Sequence, residues 1–268
     1  MINLEHISTQ LSKLGVPIDK PVIVHVSLRA VGKIDGGGQT LLDALIEHVT
    51  SSGGVLCVPT HTWANFEKNK DIILDLTDNK TCIGTLPDLA VQDKRAVRTL
   101  NPTHSVAVFG DKDKVKEFIG QENQCITPTS PNGCYGNLFK LNGKVLLIGV
   151  GQEKNTYIHC VEEMFGITDR LSKEPIKMRI KNLDGSVSEK PFHYMNEDIL
   201  DVSVNFPKYE RAFRYHDAIV DGVIGNAKVQ LCDAVLIKKV MELIRERSNE
   251  KELLFDDNAL NFQLYKNN

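Results

Sequence analysis

The chain has 268 residues, 41% of them apolar and 25% charged, with a formal net charge of −3. Such a chain buries a core without disulfides or metals, and its composition is that of a globular protein. The slightly acidic balance speaks against nucleic-acid binding, and no apolar run approaches the roughly 20 residues of a membrane span.

Leu4, Ile7, Leu11 and Leu14 fall at helical spacing and predict an amphipathic helix over 3–14. Pro21 to Val26 reads as a buried strand. Gly36 to Gly38 then break the chain before a helix expected from Thr40 to about Ser51. Gly54 to Val58 reads as a second strand, ending at Pro59. Strand, helix and strand within ~30 residues form the pattern of a right-handed parallel crossover. Thr60 to Ile83 reads as polar and irregular, and loops of that length are usually functional or disordered.

A helix over 84–92, a strand over Ser105–Phe109 and a helix over 112–119 follow, then a loop rich in Pro, Asn and Gly over 120–136. Lys144 to Gly151 is an apolar strand that runs into Asn155 and Thr156, two N-capping residue types, which puts His159 in the first turn of a helix. Alternation around Asp184-Gly185 predicts an antiparallel hairpin within 175–195. Helices near 207–216 and 232–247 bracket a glycine-rich strand, Asp221 to Gly225. The expected fold is α/β: a single domain over 1–268, with a central mixed, partly parallel sheet flanked by helices and an antiparallel addition over 175–205.

Four clusters carry chemistry. At the strand-to-helix junction, Glu162 and Glu163 follow His159 at i+3 and i+4, so one of them can share its face and orient the ring. A histidine, a carboxylate and converging amides suggest proton transfer with oxyanion stabilisation. Cys160 is no partner, since consecutive helical residues point about 100° apart. A second cluster, His25, Ser27, Leu28, Arg29 and Gly32 with Gly36 to Gly38 before a helix, suits a phosphate cradle, or a tight turn carrying a surface arginine. It lacks the lysine of a Walker A loop.

Arg98 and the run Asn101 to Ser105 form the third: Thr103, His104 and Ser105 either cap local amides or bond a ligand. Val58 to Trp63, with Thr60 and the single tryptophan, either lines a substrate pocket or staples the loop to the core. There is no G-x-S-x-G elbow and no G-x-G-x-x-G run, which weakens hydrolase and dinucleotide readings. The six cysteines show neither C-x-x-C nor zinc spacing. Together with the lack of a signal-like N-terminus, this predicts reduced thiols in a cytoplasmic protein that holds no metal.

In this order, His25 to Arg29 with Gly32, Arg98 with Asn101 to Ser105, Ser130-Pro131 with Leu147 to Gly151, Asn155 to His159, and Gly222 to Ala227 resemble the aminoglycoside 3-N-acetyltransferase family, over roughly 5–245. The resemblance implies an α/β fold distinct from GNAT acetyltransferases, and acetyl-CoA-dependent transfer to an amine of an aminoglycoside or related compound. It makes His159 the catalytic histidine, with Glu162 as its support. His25, the Ser27-Leu28-Arg29 turn, Gly32 and Thr103-His104-Ser105 would hold the pantetheine and pyrophosphate of CoA.

Trp63 and Asn155 would meet the amine, and backbone amides or the Thr60 or Thr103 hydroxyl would stabilise the oxyanion. The expected chemistry is direct transfer with His159 as general base. One departure stands out: resistance members tend to place acids just after this tryptophan, whereas here Ala64, Asn65 and Phe66 precede Glu67, Asp71, Asp75 and Asp78. A non-aminoglycoside amine is therefore an alternative acceptor, and a non-catalytic CoA- or nucleotide-binding module the alternative to an enzyme. The expected partners are acetyl-CoA and a small amine, with no nucleic acid or membrane; a homodimer is left open.

Overall fold

A computed structural model describes residues 1–196 and 201–267. The chain opens on α1 (Leu4–Leu14), where the Asn3 side chain accepts from the His6 amide and Ile7, Leu11 and Leu14 turn inward. Next come β1 (Pro21–Val26), α2 (Leu28–Val31), α3 (Gly37–Thr50), β2 (Val55–Pro59), α4 (Trp63–Glu67), β3 (Ile72–Asp75) and α5 (Thr85–Gln92). The middle holds β4 (Val97–Arg98), β5 (Val106–Phe109), α6 (Lys112–Ile119), α7 (Cys134–Lys140), β6 (Lys144–Ile148) and α8 (Tyr157–Met164). The last elements are β7 (Ile176–Lys181), β8 (Val187–Phe192), α9 (Glu210–Tyr215), β9 (Ile219–Ile224), β10 (Ala227–Asp233) and α10 (Ala234–Arg247).

Seven strands form a mixed sheet in the order β4-β5-β2-β1-β6-β10-β9. β1 runs parallel to both β2 and β6, as the crossover pattern predicts, while β5, β4, β10 and β9 attach antiparallel. Alternation sorts the central strands onto two cores. Val22, Val24, Leu56, Val58, Leu146 and Ile148 meet Leu41, Leu45 and Val49 of α3 on one face. Ile23, Cys57, Val108 and Leu147 meet Tyr157, Ile158 and Val161 of α8 on the other. Each such side chain, fully buried, contributes about 1.5–3 kcal/mol of transfer free energy. The expected fold class, a mixed sheet flanked by helices with an antiparallel addition, is the observed one.

Several local expectations need correction. The segment 60–83 is not irregular: it holds α4 and β3, and β3 pairs in parallel with β7 in a second sheet, β3-β7-β8, packed around Ile73, Met178 and Phe192. A four-residue strand whose partner lies about a hundred residues on leaves no local period to read. Within 120–136 a 3₁₀ turn forms at Glu122–Gln124, and α7 starts at Cys134.

The hairpin expected within 175–195 is formed by β7 and β8, over 176–192. Residues 197–200 of the expected addition lie outside the described residues. From Val202 the chain is a 3₁₀ helix to Tyr209, with Pro207 inside it, so only Glu210–Tyr215 of the expected 207–216 helix is α. The strand at 221–225 is β9, and its partner β10 was not anticipated; β10 fills the position beside β6. Among the described residues no helix is long and apolar enough to cross a membrane.

Candidate active site

Where β1, β2 and β5 leave the core, the apolar rows on the α8 face end in histidines. Ile23 is followed at i+2 by His25, and Cys57 by Pro59 and His61; on antiparallel β5, Val108 and Val106 lead back to His104. The β2–β5 ladder continues past its strands through Thr60 N to Ser105 O (2.7 Å) and Thr62 N to Thr103 O (2.9 Å). This sets the His61 and His104 rings 4.3 Å apart. His61 Nε2 bonds the Tyr135 hydroxyl at 2.9 Å, and His104 Nδ1 bonds the Thr103 hydroxyl at 2.9 Å.

Burial, with Lys154 adding to it, lowers the His25 pKa to about 4. Burial lowers His104 to about 3, with electrostatic coupling to the neighbouring His159 imidazole adding to it. His61 is driven well below the usual range by burial first, and then by the neighbouring imidazoles of His104, His25 and His159, beside which a further positive charge is unfavourable. All three are neutral imidazoles at neutral pH.

A fourth histidine comes from α8. β6 is followed by Gly149, whose φ of +66° and position, where a β-carbon would lie 2.3 Å from Ala30 Cβ, admit only glycine. A 3₁₀ turn, Gln152–Lys154, then delivers the chain to Thr156. Thr156 is the N-cap residue but makes no side-chain cap bond, so the expected capping interaction is absent.

His159 Nδ1 lies 3.1 Å from Glu162 Oε2, while Glu162 Oε1 accepts from Arg170 Nε and Nη2 at 3.2 and 3.1 Å. A carboxylate held by a guanidinium accepts only, so Nδ1 carries the proton and Nε2 keeps a free lone pair. Arg170 is 6% exposed and also reaches Glu252 at 2.7 Å; the Phe206 ring closes against His159 at 4.7 Å. Glu163 points elsewhere, accepting from Thr127 Oγ1 and from Thr129 N and Oγ1, and burial raises its pKa. Of the two acids at helical spacing, Glu162 is the one at the histidine.

These groups surround one cavity of about 660 Å³. His25, His61, Thr103, His104, Asn155, His159 and Trp63 line it, with Phe66, Tyr194 and Phe206 as aromatic wall and Glu67, Glu153 and Asp201 as carboxylates. Asn155 Nδ2 donates to Gln152 Oε1 at 2.8 Å, and Gln152 in turn donates to Gln230. Among the described residues, no three His, Cys, Asp or Glu side chains converge closely enough to hold a metal ion.

Other anticipated residues lie outside the lining. Ser27 accepts from the Ala30 amide as the N-cap of α2, Arg29 is exposed, and neither these nor Leu28 borders the cavity. Gly32 closes α2 at φ +89°, where a β-carbon would meet Asn226 Nδ2 at 2.7 Å. Thr60 and Ser105 are fully buried and absent from the lining. Ser105 Oγ donates to Thr60 O at 2.8 Å and accepts from Thr60 Oγ1 at 3.0 Å and Arg98 Nε at 3.3 Å. Burial lowers Arg98 to about 10, against the pull of Asp78, Asp75 and Asp88. Its guanidinium also bonds the carbonyls of Thr60, Asp75 and Asp78, tying the main sheet to the segment after β3.

Sequence reasoning missed Arg170, Phe206, Asp201 and Tyr194, which come from distant segments without motifs. His61 falls inside the Val58 to Trp63 run but is not singled out by it, although the period-two row through Cys57 and Pro59 leads to it.

A sequence profile described as aminoglycoside 3-N-acetyltransferase matches residues 23–244. An aminoglycoside N(3)-acetyltransferase III from Salmonella sp is 26% identical over 249 residues, covering 85% of this chain and 86% of that protein. A mutant of aminoglycoside acetyltransferase AAC(3)-IVa in complex with a gentamicin has a TM-score of 0.75 at 22% identity, over 92% of this chain and 90% of that one. AAC-IIIb in a binary complex with CoASH has a TM-score of 0.73 at 17% identity, over 91% of this chain and 97% of that one. The two structural likenesses show the shared fold.

Proposed function

We propose, for a chain that belongs to the aminoglycoside 3-N-acetyltransferase family, that it transfers acetyl from acetyl-CoA directly to an amine, with His159 as general base. The observation that carries this reading is the His159–Glu162–Arg170 chain at the cavity wall. Its relatives are named for acetyl transfer to aminoglycosides, and one solved neighbour holds CoASH.

An alkylammonium cannot attack until it loses a proton. His159 Nε2 takes that proton, and Glu162 stabilises the resulting imidazolium through Nδ1–H. The amine nitrogen then adds to the thioester carbon. The C–N bond forms, the C–S bond breaks, and CoA leaves as a thiolate that is protonated by the imidazolium. The surplus proton on the new amide nitrogen passes to solvent. No acyl-enzyme is involved. Cys160, beside His159, is fully buried, and burial drives its thiol pKa well above the usual range.

The acceptor enters as a cation, and Glu67, Glu153 and Asp201 are the carboxylates that would receive an aminoglycoside or related amino compound. One observation favours a second acceptor reading. Of Glu67, Asp71, Asp75 and Asp78, Glu67 alone borders the cavity, beside Trp63 and Phe66, while Asp71 pairs with Arg179 and Asp75 with Lys181. That wall suits an amine with few charges and an apolar body.

The test is CoA-thiol release across a panel running from aminoglycosides to simple aryl- and alkylamines, with the N-acetyl product identified by mass. Release and product are expected only when an amine is present. An acetyl adduct on the protein after mixing with acetyl-CoA alone would contradict direct transfer, and no product with any amine would contradict the activity.

A further inference from the structure

We propose that His25 is a catalytic residue of this transfer, its Nε2–H donating to the thioester oxygen as that oxygen becomes an oxyanion. The inference rests on the acetyl-transfer reading of the cavity. Among the described residues, two buried side-chain polar atoms have no hydrogen-bond partner, His25 Nε2 and Asn155 Oδ1, and both residues line this one cavity. Buried polar atoms are nearly always paired, because an orphan gives up its hydration for nothing in return. Two orphans in the same wall mark contacts a ligand makes.

The other cavity histidines are engaged: His61 with Tyr135, His104 with Thr103, His159 with Glu162. Each of those three has one ring nitrogen in a hydrogen bond, whereas the buried Nε2 of His25 has none. His25 sits at the end of β1, between β2 and β6, on the sheet face that α8 covers, so the same cavity receives it and His159.

Its chemistry fits an electrophile better than a base. Burial keeps it neutral, with a pKa lowered to about 4. A neutral imidazole donates a hydrogen bond without repelling an incoming ammonium, and it has little tendency to take that ammonium's proton. The second orphan is complementary. Asn155 commits Nδ2 to Gln152, so Oδ1 can only accept, and it would take an N–H of the attacking amine. During the step His25 keeps its proton, the amine proton goes to His159, and the electron pair of the C–S bond leaves with CoA.

The test compares wild type, His25→Leu and His25→Gln in steady-state acetyl transfer, with CoA affinity measured separately by calorimetry. Removing one oxyanion donor is expected to lower kcat by ~10²–10³-fold. KM for acetyl-CoA and the Kd of CoA should hold nearly constant. His25→Gln, which returns an N–H near the Nε2 position, is expected to recover most of the loss. If His25→Leu does not fold, His25→Ala takes its place with the same expected loss, against His25→Gln and the CoA Kd. Unchanged kcat in folded His25→Leu or His25→Ala, or a loss confined to CoA binding, would overturn the assignment while leaving the activity standing. An inactive wild type would overturn both.

Discussion

Thr60-His61 and His104-Ser105 are neighbours in sequence and opposites in structure. His61 and His104 look into the cavity, whereas Thr60 and Ser105 turn away from its lining and bond each other and Arg98. Ser105 is saturated, with one bond donated and two accepted; across the sheet His25 Nε2 has none. A strand pair that alternates its side chains thus divides one motif in two. One half holds the two sheets together, and the other faces substrate. Burial alone does not tell them apart, since both halves are buried; the side of the β2–β5 ladder that each side chain takes does.

The comparison is strained most by acid. Histidine normally titrates near ~6.5, while burial lowers His25 to about 4 and His104 to about 3 and holds His61 well down. Between the ordinary value and these, the unfolded chain binds protons that the folded one refuses. Stability therefore falls as pH falls through that window, by up to about 1.4 kcal/mol per pH unit for each histidine. Glu122 and Glu163 act oppositely: burial raises their pKa, so the folded state takes up their protons first and partly offsets the loss. Denaturant unfolding between about pH 6.5 and about pH 4.5 should show this slope, flattened by about 1.4 kcal/mol per pH unit in His104→Asn. Equal slopes in the two proteins would mean the imidazoles are not buried neutral.

A smaller effect is expected from the hydroxyl half. Ser105→Ala strands the Arg98 Nε–H and the Thr60 hydroxyl proton, and should lower stability by about 1–3 kcal/mol with kcat essentially unchanged. A fall in kcat larger than the stability change would bring the hydroxyl row into the chemistry and erase the distinction.

These two halves also mark what the sequence made legible. Helical and strand periods located α1, β1, β2, α5, β5, α6, β6 and α10 closely, because each repeats its apolar residues within its own span. His159 and Glu162 were legible for the same reason, being one turn apart on one helix. β3 was hidden because its pairing partner, β7, is distant. β10 was hidden because its alternation, with Lys228 and Gln230 outward, runs directly into α10. Arg170, Phe206 and Tyr194 reach the site only through the tertiary fold. Thr60 and His61 could be found as a motif, but choosing between them required the register of β2 against β5, which sets the parity of every side chain.

The central claim is that His159 removes the ammonium proton so that the amine can attack acetyl-CoA, and amines of graded basicity test it most directly. The ratio of wild-type to His159→Ala rates should be largest for strongly basic amines, which arrive protonated. It should shrink steadily for weakly basic ones, which are already neutral at the working pH. A ratio that stays flat across the series, or a His159→Ala variant as active as wild type, would contradict the account.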